Sequence, residues 1–166
     1  MSGIQDDRHS MNSKAVTLQS GEGKSLWVLG DLYTIKLAGD ETGGSFAMLE
    51  ARVQPQNEPP PHVHLREDET FYILEGEFTF LHGDHKFTAI SGSVVHIPKG
   101  TLHTFKNVGT SWGRFVVVIT PAGFEELFEQ IGEPVTDQSS PPPFNLEVVE
   151  RLLELAPKYY LEVKLR

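Results

Sequence analysis

The sequence predicts an all-β fold, an antiparallel sandwich or barrel, with two helices after it. Between residues 25 and 120 the chain divides into short apolar runs, separated by turns that contain Gly, Asn or Pro. Runs at such near-regular spacing are typical of antiparallel sandwiches and barrels. The 15 Gly and 11 Pro favour many turns over long helices. After residue 120 the apolar residues follow a helical period instead.

The length of 166 residues fits one domain with a sizeable core. Residues 1–13 are polar and are predicted to form a disordered tail. Residues 14–120 are predicted to form the barrel. Residues 121–166 are predicted to form a helical extension packed on the outside of the barrel, because two short helices rarely bury enough surface to fold alone.

The predicted strands are nine apolar runs, and two sequences between them, EG at 75–76 and HGD at 82–84, are predicted hairpin turns. In LYTIKL the alternation places Tyr33, Ile35 and Leu37 on one face. TFYIL and FVVVI are apolar on both faces, so we expect both faces to be covered. The nine runs are SLWVLG, LYTIKLAG, SFAMLEARV, TFYILEG, EFTFLHG, KFTAI, SVVHIP, HTFKN and RFVVVIT.

Two helices are predicted in the C-terminal part. The first is expected to begin at Thr120 as the cap with Pro121 at its first position, and to end at Gly132. The second is expected to be capped by Asn145 and stopped by Pro157. The predicted apolar stripes are Phe124, Leu127, Phe128 and Ile131 in the first helix, and Val149, Leu152, Leu153 and Ala156 in the second.

Charge and composition exclude several classes of function. The net charge of −9 and the scattered Lys and Arg argue against a nucleic-acid partner and against binding to an anionic membrane. The absence of Cys excludes disulfides, thiolate nucleophiles and Cys-type zinc sites. The N-terminus lacks the apolar core of a signal peptide, and no run approaches the ~20 apolar residues that span a bilayer. We therefore expect a cytoplasmic protein.

The stretch PPPHVHLREDE, residues 59–69, contains the first candidate ligands. His62 and His64 are alternate residues, so on a strand both point to the same side. Neutral imidazoles offer nitrogen lone pairs to a metal. Glu69 lies at an odd separation from His64, so one continuous strand would send it to the opposite face. The polar LRED is turn-like, and a turn there lets Glu69 start a new strand facing inward.

A second segment supplies a third imidazole. Pro98 and Gly100 bracket a turn, and His103 follows where the next strand begins. Three imidazoles and one carboxylate form a set that suits Fe, Mn, Co, Ni, Cu or Zn. Taken singly these features are ordinary, because H-x-H pairs are more often on the surface and an acidic run such as Glu67–Glu69 is more often a solvated turn. The combination of both segments is what indicates a metal site. The remaining histidines are predicted to be structural or exposed, or to lie in the tail: His9, His82, His85 and His96.

The two segments together resemble the motifs of the cupin family, G-x5-H-x-H-x3,4-E-x6-G and G-x5-P-x-G-x2-H-x3-N. The match covers residues 62–107, with Gln56 in place of the opening glycine. Stretches such as ETGG, PPPHVH and ITPAGFEELFEQIGEP are similar to those of small bacterial cupins described as quercetin 2,3-dioxygenase-like. The resemblance implies a double-stranded β-helix in which His62, His64, Glu69 and His103 bind one divalent transition metal.

The resemblance also implies a function: a metal-dependent dioxygenase for a small aromatic or enolic substrate of flavonol type, with Glu69 as the base that accepts the substrate's proton. Two alternatives stay open, a non-catalytic sensor or carrier and a sugar-phosphate isomerase or epimerase. The doubly apolar strands and the helices present more apolar surface than one small barrel covers, so we expect a homodimer. The candidate substrate contacts, which equally suit the barrel core, are Phe71, Phe78, Phe80 and Phe105.

Overall fold

A computed structural model describes residues 14–165, so the predicted tail of residues 1–13 lies outside the described residues. The strands before the centre of the chain are β1 (Lys24–Val28), β2 (Asp31–Leu37), β3 (Ala47–Val53), β4 (His62–His64), β5 (Asp68–Glu75) and β6 (Glu77–His82). The later strands are β7 (His85–Ile90), β8 (Val94–Ile97), β9 (His103–Asn107), β10 (Gly113–Thr120), β11 (Glu133–Pro134) and β12 (Leu161–Val163). The helices are α1 (Gly39–Thr42), α2 (Glu125–Ile131) and α3 (Leu146–Leu155), and a 3-10 helix spans Ala156–Tyr159.

Two antiparallel sheets form the barrel. The larger sheet has the strand order β11-β1-β2-β3-β10-β5-β8, and the smaller one has the order β12-β4-β9-β6-β7. The non-sequential neighbours, such as β3 beside β10 and β4 beside β9, are the crossovers of a jelly roll. The all-β prediction of a double-stranded β-helix with two C-terminal helices is therefore confirmed.

All nine apolar runs of the sequence form strands. Several of them, such as β3, β8 and β10, alternate buried residues with less buried ones. β3 shows the pattern clearly: Ala47, Leu49, Ala51 and Val53 have no exposed surface, and the residues between them are half-buried. On β10 the buried face carries Phe115, Val117 and Ile119. Phe71, Phe78, Phe80, Phe105 and Phe115 then form an aromatic core, whose adjacent ring centroids lie 5.1–6.2 Å apart.

Only one of the two predicted hairpin turns is correct. His82 pairs with His85 around Gly83 and Asp84, so HGD joins β6 to β7 as predicted. EG at 75–76 is not a hairpin, because β5 belongs to the larger sheet and β6 to the smaller one. Gly76 carries the chain between the sheets with a φ of 92°, and a Cβ there would lie 3.0 Å from the Cα of Gly113. Both features favour glycine at this crossing.

The first C-terminal helix begins later than predicted. Thr120 still pairs with Asp68 in the sheet, and Gly123 has a φ of 124°, which no helical residue adopts. The helix therefore starts at Glu125, and it ends before Gly132 as predicted. None of the helices among residues 14–165 is long and apolar enough to cross a membrane.

The second helix is capped by Asn145, whose side chain accepts a hydrogen bond from the Glu147 N–H at 3.0 Å, as predicted. Half of its predicted apolar stripe is correct: Leu152 and Ala156 are buried as predicted, whereas Val149 is only half-buried and Leu153 is 37% exposed. Val148 and Leu155 are the buried residues that the prediction missed. The C-terminal part is also not purely helical. β11 pairs with β1 and β12 pairs with β4, so this part extends both sheets.

The outer faces of β5 and β10 are less covered than predicted. Tyr72 on β5 lies between Val94 on β8 and Val116 on β10, and all three point away from the barrel interior. Tyr72 is 48% exposed and Val94 is 63% exposed. The larger sheet thus presents an apolar outer strip within the described part of the chain.

Candidate metal centre

The four predicted ligands converge on one point. His62, His64, Glu69 and His103 each offer a ligand atom, and these atoms lie within 4.8 Å of one another. The three histidines come from the smaller sheet, on β4 and β9, and Glu69 comes from β5 of the larger sheet. The sequence reasoning placed Glu69 on a strand after a turn but not on the opposing sheet. The site therefore bridges the two sheets inside the barrel.

Local backbone contacts hold the two histidine strands. His62 is directly opposite His103 in the β4–β9 pair. The N–H of Gly100 donates to the carbonyl oxygen of His64 at 2.7 Å, so the turn that precedes His103 is tied to the H-x-H segment. Gly100 has a φ of 86°, which glycine adopts without a steric penalty.

Gln56, at the position of the opening glycine of the motif, has a left-handed backbone conformation. Its φ is 63°, and its N–H donates to the carbonyl oxygen of Asn107 at 2.9 Å. Its side-chain amide donates to the carbonyl oxygens of Val108 at 3.1 Å and Gly109 at 3.0 Å. These side-chain bonds help to offset the cost of a left-handed conformation at a non-glycine residue.

Hydrogen bonds to Nδ1 orient two of the three imidazoles. His62 Nδ1 lies 2.8 Å from the Pro60 carbonyl oxygen, and His103 Nδ1 lies 2.9 Å from the Thr101 carbonyl oxygen. A carbonyl accepts but cannot donate, so each Nδ1 carries a proton, and Nε2 is the ring nitrogen left to face a metal. His64 has a different partner, because its Nδ1 faces the Glu67 carboxylate at 3.6 Å.

Glu69 lies among the Nε2 atoms. Its Oε2 is 2.7 Å from His103 Nε2 and 3.4 Å from His64 Nε2. Burial acts to raise the pKa of Glu69, but the neighbouring His64 and His103 outweigh burial and lower the pKa to about 2. The carboxylate is therefore ionised at neutral pH.

The pKa values of two histidines shift in opposite directions. Burial, with additional repulsion from His103 and His64, lowers the pKa of His62 to about 3, so this ring is neutral at physiological pH. Burial also acts to lower the pKa of His64, but the charges of Glu69 and Glu67 outweigh it and raise the pKa.

The donor set fits a divalent transition metal. His64, Glu69 and His103 are buried, and both ring nitrogens of His103 face acceptor oxygens. A buried carboxylate and converging lone pairs are costly without a cation between them. Nitrogen-rich sets with one carboxylate suit Fe, Mn, Co, Ni, Cu and Zn. These residues could therefore hold the single metal that the sequence predicts.

An apolar cavity of about 80 Å³ adjoins the four donors. Side chains of the C-terminal part contribute to its wall, among them Phe124, Phe128 and Leu152. The Phe124 ring lies edge-on to His64 with centroids 4.4 Å apart, and Phe128 packs on Tyr33 at 4.6 Å. The C-terminal helices thus cover the barrel and also line the cavity beside the site.

The four predicted substrate-contacting phenylalanines divide into two pairs. Phe71 and Phe105 line the cavity. Phe78 and Phe80 do not line it; both have no exposed surface and lie in the aromatic core. Of the other histidines, His85 and His96 are exposed as predicted, and His82 is half-buried opposite His103 on β6.

Sequence reasoning missed three polar residues near the site. Glu67 is buried beside His64 and was interpreted as part of a solvated turn. Asp31 and Tyr33 both line the cavity from the inner face of β2. The inward direction of Asp31 could have been predicted, because Asp31, Tyr33 and Ile35 are alternate residues and so lie on the same face of β2. No such pattern in the sequence predicts the burial of Glu67.

Comparison with known proteins identifies the family. The family model of the cupin domain, which describes its sequence, matches residues 49–119. This range contains all four converging residues. Residues 49–119 form a cupin domain. Two curated relatives named quercetin 2,3-dioxygenase are similar to this cupin: one from Bacillus subtilis, 30% identical over 117 residues, and one from Aspergillus japonicus, 27% identical over 143 residues. The matches cover 70% and 81% of this chain but only 34% and 37% of the relatives, so the cupin spans about one third of their length.

Solved structures confirm the fold. KdgF from Halomonas sp. aligns with a TM-score of 0.60 at 16% identity, over 68% of this cupin and 99% of that chain. A protein of Thermotoga maritima described as a predicted oxalate decarboxylase aligns with a TM-score of 0.61 at 20% identity, over 64% of this cupin and 99% of that chain. At these identities the similarity supports the fold alone.

Proposed function

We propose that this cupin is a metal-dependent dioxygenase for a small aromatic enol of the flavonol class. The observation that carries the proposal is the position of the three-histidine, one-carboxylate cluster on the wall of an apolar, aromatic cavity. The names of the two curated relatives support the same activity, although the chain spans only part of their length. Apolar walls with a few converging polar groups are typical of sites for small molecules.

The chain's own residues have separate roles in this proposal. A divalent transition metal held by the four donors supplies the Lewis acidity and the redox chemistry of dioxygen addition. Glu69, which is ionised at neutral pH, accepts the proton of the substrate hydroxyl on a carboxylate oxygen. Phe71, Phe105 and Phe115 contact the aromatic part of the substrate and exclude water from the reacting enolate.

The cavity walls argue against the sugar-phosphate isomerase alternative. None of the described residues that line the cavity is Lys or Arg. A phosphate group needs cationic partners or clustered backbone N–H groups to replace its hydration. The non-catalytic alternative uses the same metal and the same cavity, so only turnover separates it from the proposed function.

The test is oxygen consumption by the metal-loaded protein. The metal-free protein is loaded in turn with Fe, Mn, Co, Ni and Cu and is assayed with a panel of flavonols and other enols. Loading with redox-inert Zn is the matched control, because the fold and site stay the same while the redox chemistry is removed. We expect oxygen uptake with at least one metal, together with incorporation of both atoms of labelled dioxygen into the product. Binding of metal and flavonol with no uptake in any form would favour a sensor or carrier.

A further inference from the structure

We infer that Glu67 is a positioning residue of the metal centre: its carboxylate accepts the Nδ1 proton of His64, which fixes the tautomer and the donor strength of that ligand. The inference rests on the proposed metal binding but requires no dioxygenase activity.

The contact joins two buried polar atoms that lack other partners. Glu67 and His64 are 2% and 1% exposed. Their Oε2 and Nδ1 atoms lie 3.6 Å apart, and neither atom has a hydrogen-bond partner within the described part of the chain. Buried polar groups without partners are costly, and this pair is only a few tenths of an ångström beyond hydrogen-bond length. Each atom is therefore the natural partner of the other.

The opposite oxygen of Glu67 faces a cation at the surface. Arg66 Nε lies 3.6 Å from Glu67 Oε1, and Arg66 Nη2 donates to the carbonyl oxygen of Ala122 at 3.0 Å. The guanidinium also lies 5.7 Å from the centroid of the Tyr160 ring. These contacts orient Arg66, so one carboxylate oxygen of Glu67 faces Arg66 and the other faces His64.

Glu67 makes His64 different from the other two imidazoles. His62 and His103 direct Nδ1 at neutral carbonyl oxygens, whereas His64 directs Nδ1 at a carboxylate. A carboxylate that accepts the outer ring proton raises the basicity of the ligating nitrogen, and removing such a partner typically weakens metal binding about 10- to 100-fold. His64 is therefore assigned as the strongest nitrogen donor of the three.

Two variants and one control test the assignment by Co²⁺ affinity, measured by calorimetric titration of the metal-free full chain. Glu67→Met keeps the length of the side chain but leaves His64 Nδ1 without an acceptor, and we expect Co²⁺ binding to weaken about 10- to 100-fold. Glu67→Gln keeps an acceptor oxygen without the charge, and we expect a smaller loss. Glu75→Gln removes the same charge at the exposed far end of β5, and we expect no change.

A second readout separates positioning from general damage to the structure. In the Co²⁺-loaded protein each coordinated imidazole has an exchangeable Nδ1–H, whose proton resonance the metal shifts strongly. Glu67→Gln should move one of these three resonances and leave the two bonded to carbonyls in place. Unchanged affinity and three unchanged resonances in both variants would overturn the role of Glu67 while leaving the metal site intact. If the unaltered protein binds neither Co²⁺ nor Zn²⁺, the metal site and this inference both fail.

Discussion

His62 and His103 lie directly opposite each other on an antiparallel strand pair, with ring centroids 4.5 Å apart. Opposite residues of such a pair have Cβ atoms about 4.5–5.5 Å apart, so the backbone itself sets the spacing of two ligands. Each ring is further held by its Nδ1 contact with a backbone carbonyl. Ligands ordered before binding lose little conformational freedom when a metal arrives.

We expect His62→Ala or His103→Ala to remove most of the bound metal. Each change deletes one nitrogen donor, so the loss of affinity should exceed the roughly 10- to 100-fold that an outer partner contributes. Elemental analysis of protein purified without chelator or affinity metal measures the occupancy. His82→Ala and His85→Ala are the controls, and His82 is the sharper one because it is opposite His103 yet lies outside the four-residue cluster. Equal losses in all four variants would show that the ligand set is wrong.

Glu69→Gln is expected to separate metal binding from turnover. The amide keeps the size of the side chain and removes its basicity, while three imidazoles remain to hold part of the metal. General-base assistance is typically worth ~10²–10⁴-fold in rate, so turnover should fall by about that factor. Metal content and oxygen consumption are measured on the same sample. Full activity per bound metal in this variant would exclude Glu69 as the base.

A homodimer through the outer face of the larger sheet is expected. Tyr72, Val94 and Val116 form an apolar strip there, and an exposed strip of this kind favours association with a second copy. Light scattering at micromolar concentration should give twice the chain mass for the unaltered protein. Tyr72→Lys combined with Val94→Lys should give a monomer. Leu146→Lys changes a residue that is 58% exposed on α3, and the dimer should persist. A monomeric unaltered protein would contradict the prediction.

Local patterns in the sequence are sufficient to predict the strands and the converging ligands. Alternation identifies strands such as β3 because the side-chain period of a strand is two. The spacing of His62 and His64, with a turn before Glu69, predicts a shared direction without knowledge of the partner strands. Asn145 caps its helix through its own side chain, which is again a local interaction.

The features that the sequence reasoning missed depend on contacts between distant parts of the chain. A glycine between two strands occurs both in hairpin turns and where a chain crosses from one sheet to the other. The local sequence around Gly76 therefore does not distinguish the two. Val149 was wrongly placed in the α3 stripe because neighbouring residues 148 and 149 are both Val, and only packing against the barrel selects Val148. The burial of Glu67 depends on the C-terminal part, since the preceding Leu65 N–H donates to the Tyr160 carbonyl oxygen.

Asp31 is a buried carboxyl group on the cavity wall and is only 2% exposed. Burial raises its pKa from 3.8 to about 7, although hydrogen bonds from the Asn57 side chain and the Gln54 N–H act to lower it. Between pH 4 and 7 the folded protein therefore keeps a proton that the unfolded chain has lost. Stability falls as pH rises through this window, by up to about 4 kcal/mol at roughly 1.4 kcal/mol per pH unit.

Asp31→Asn cannot ionise, and it keeps an acceptor oxygen for the Gln54 N–H. The free energy of unfolding of this variant minus that of the unaltered protein should rise from pH 4 to 7 by up to about 4 kcal/mol. Urea unfolding of both proteins with a chelator present measures this slope, and the histidines contribute equally to both. The added amide N–H₂ faces the Asn57 side chain and changes the free-energy difference between the two proteins by the same amount at every pH. The test is therefore how this difference changes with pH, and not its size at any one pH. Asp84→Asn, in the exposed β6–β7 turn where Asn is equally suited, is the matched control. A difference for Asp31→Asn that stays constant across this range would mean that Asp31 is already ionised in the folded protein at pH 4.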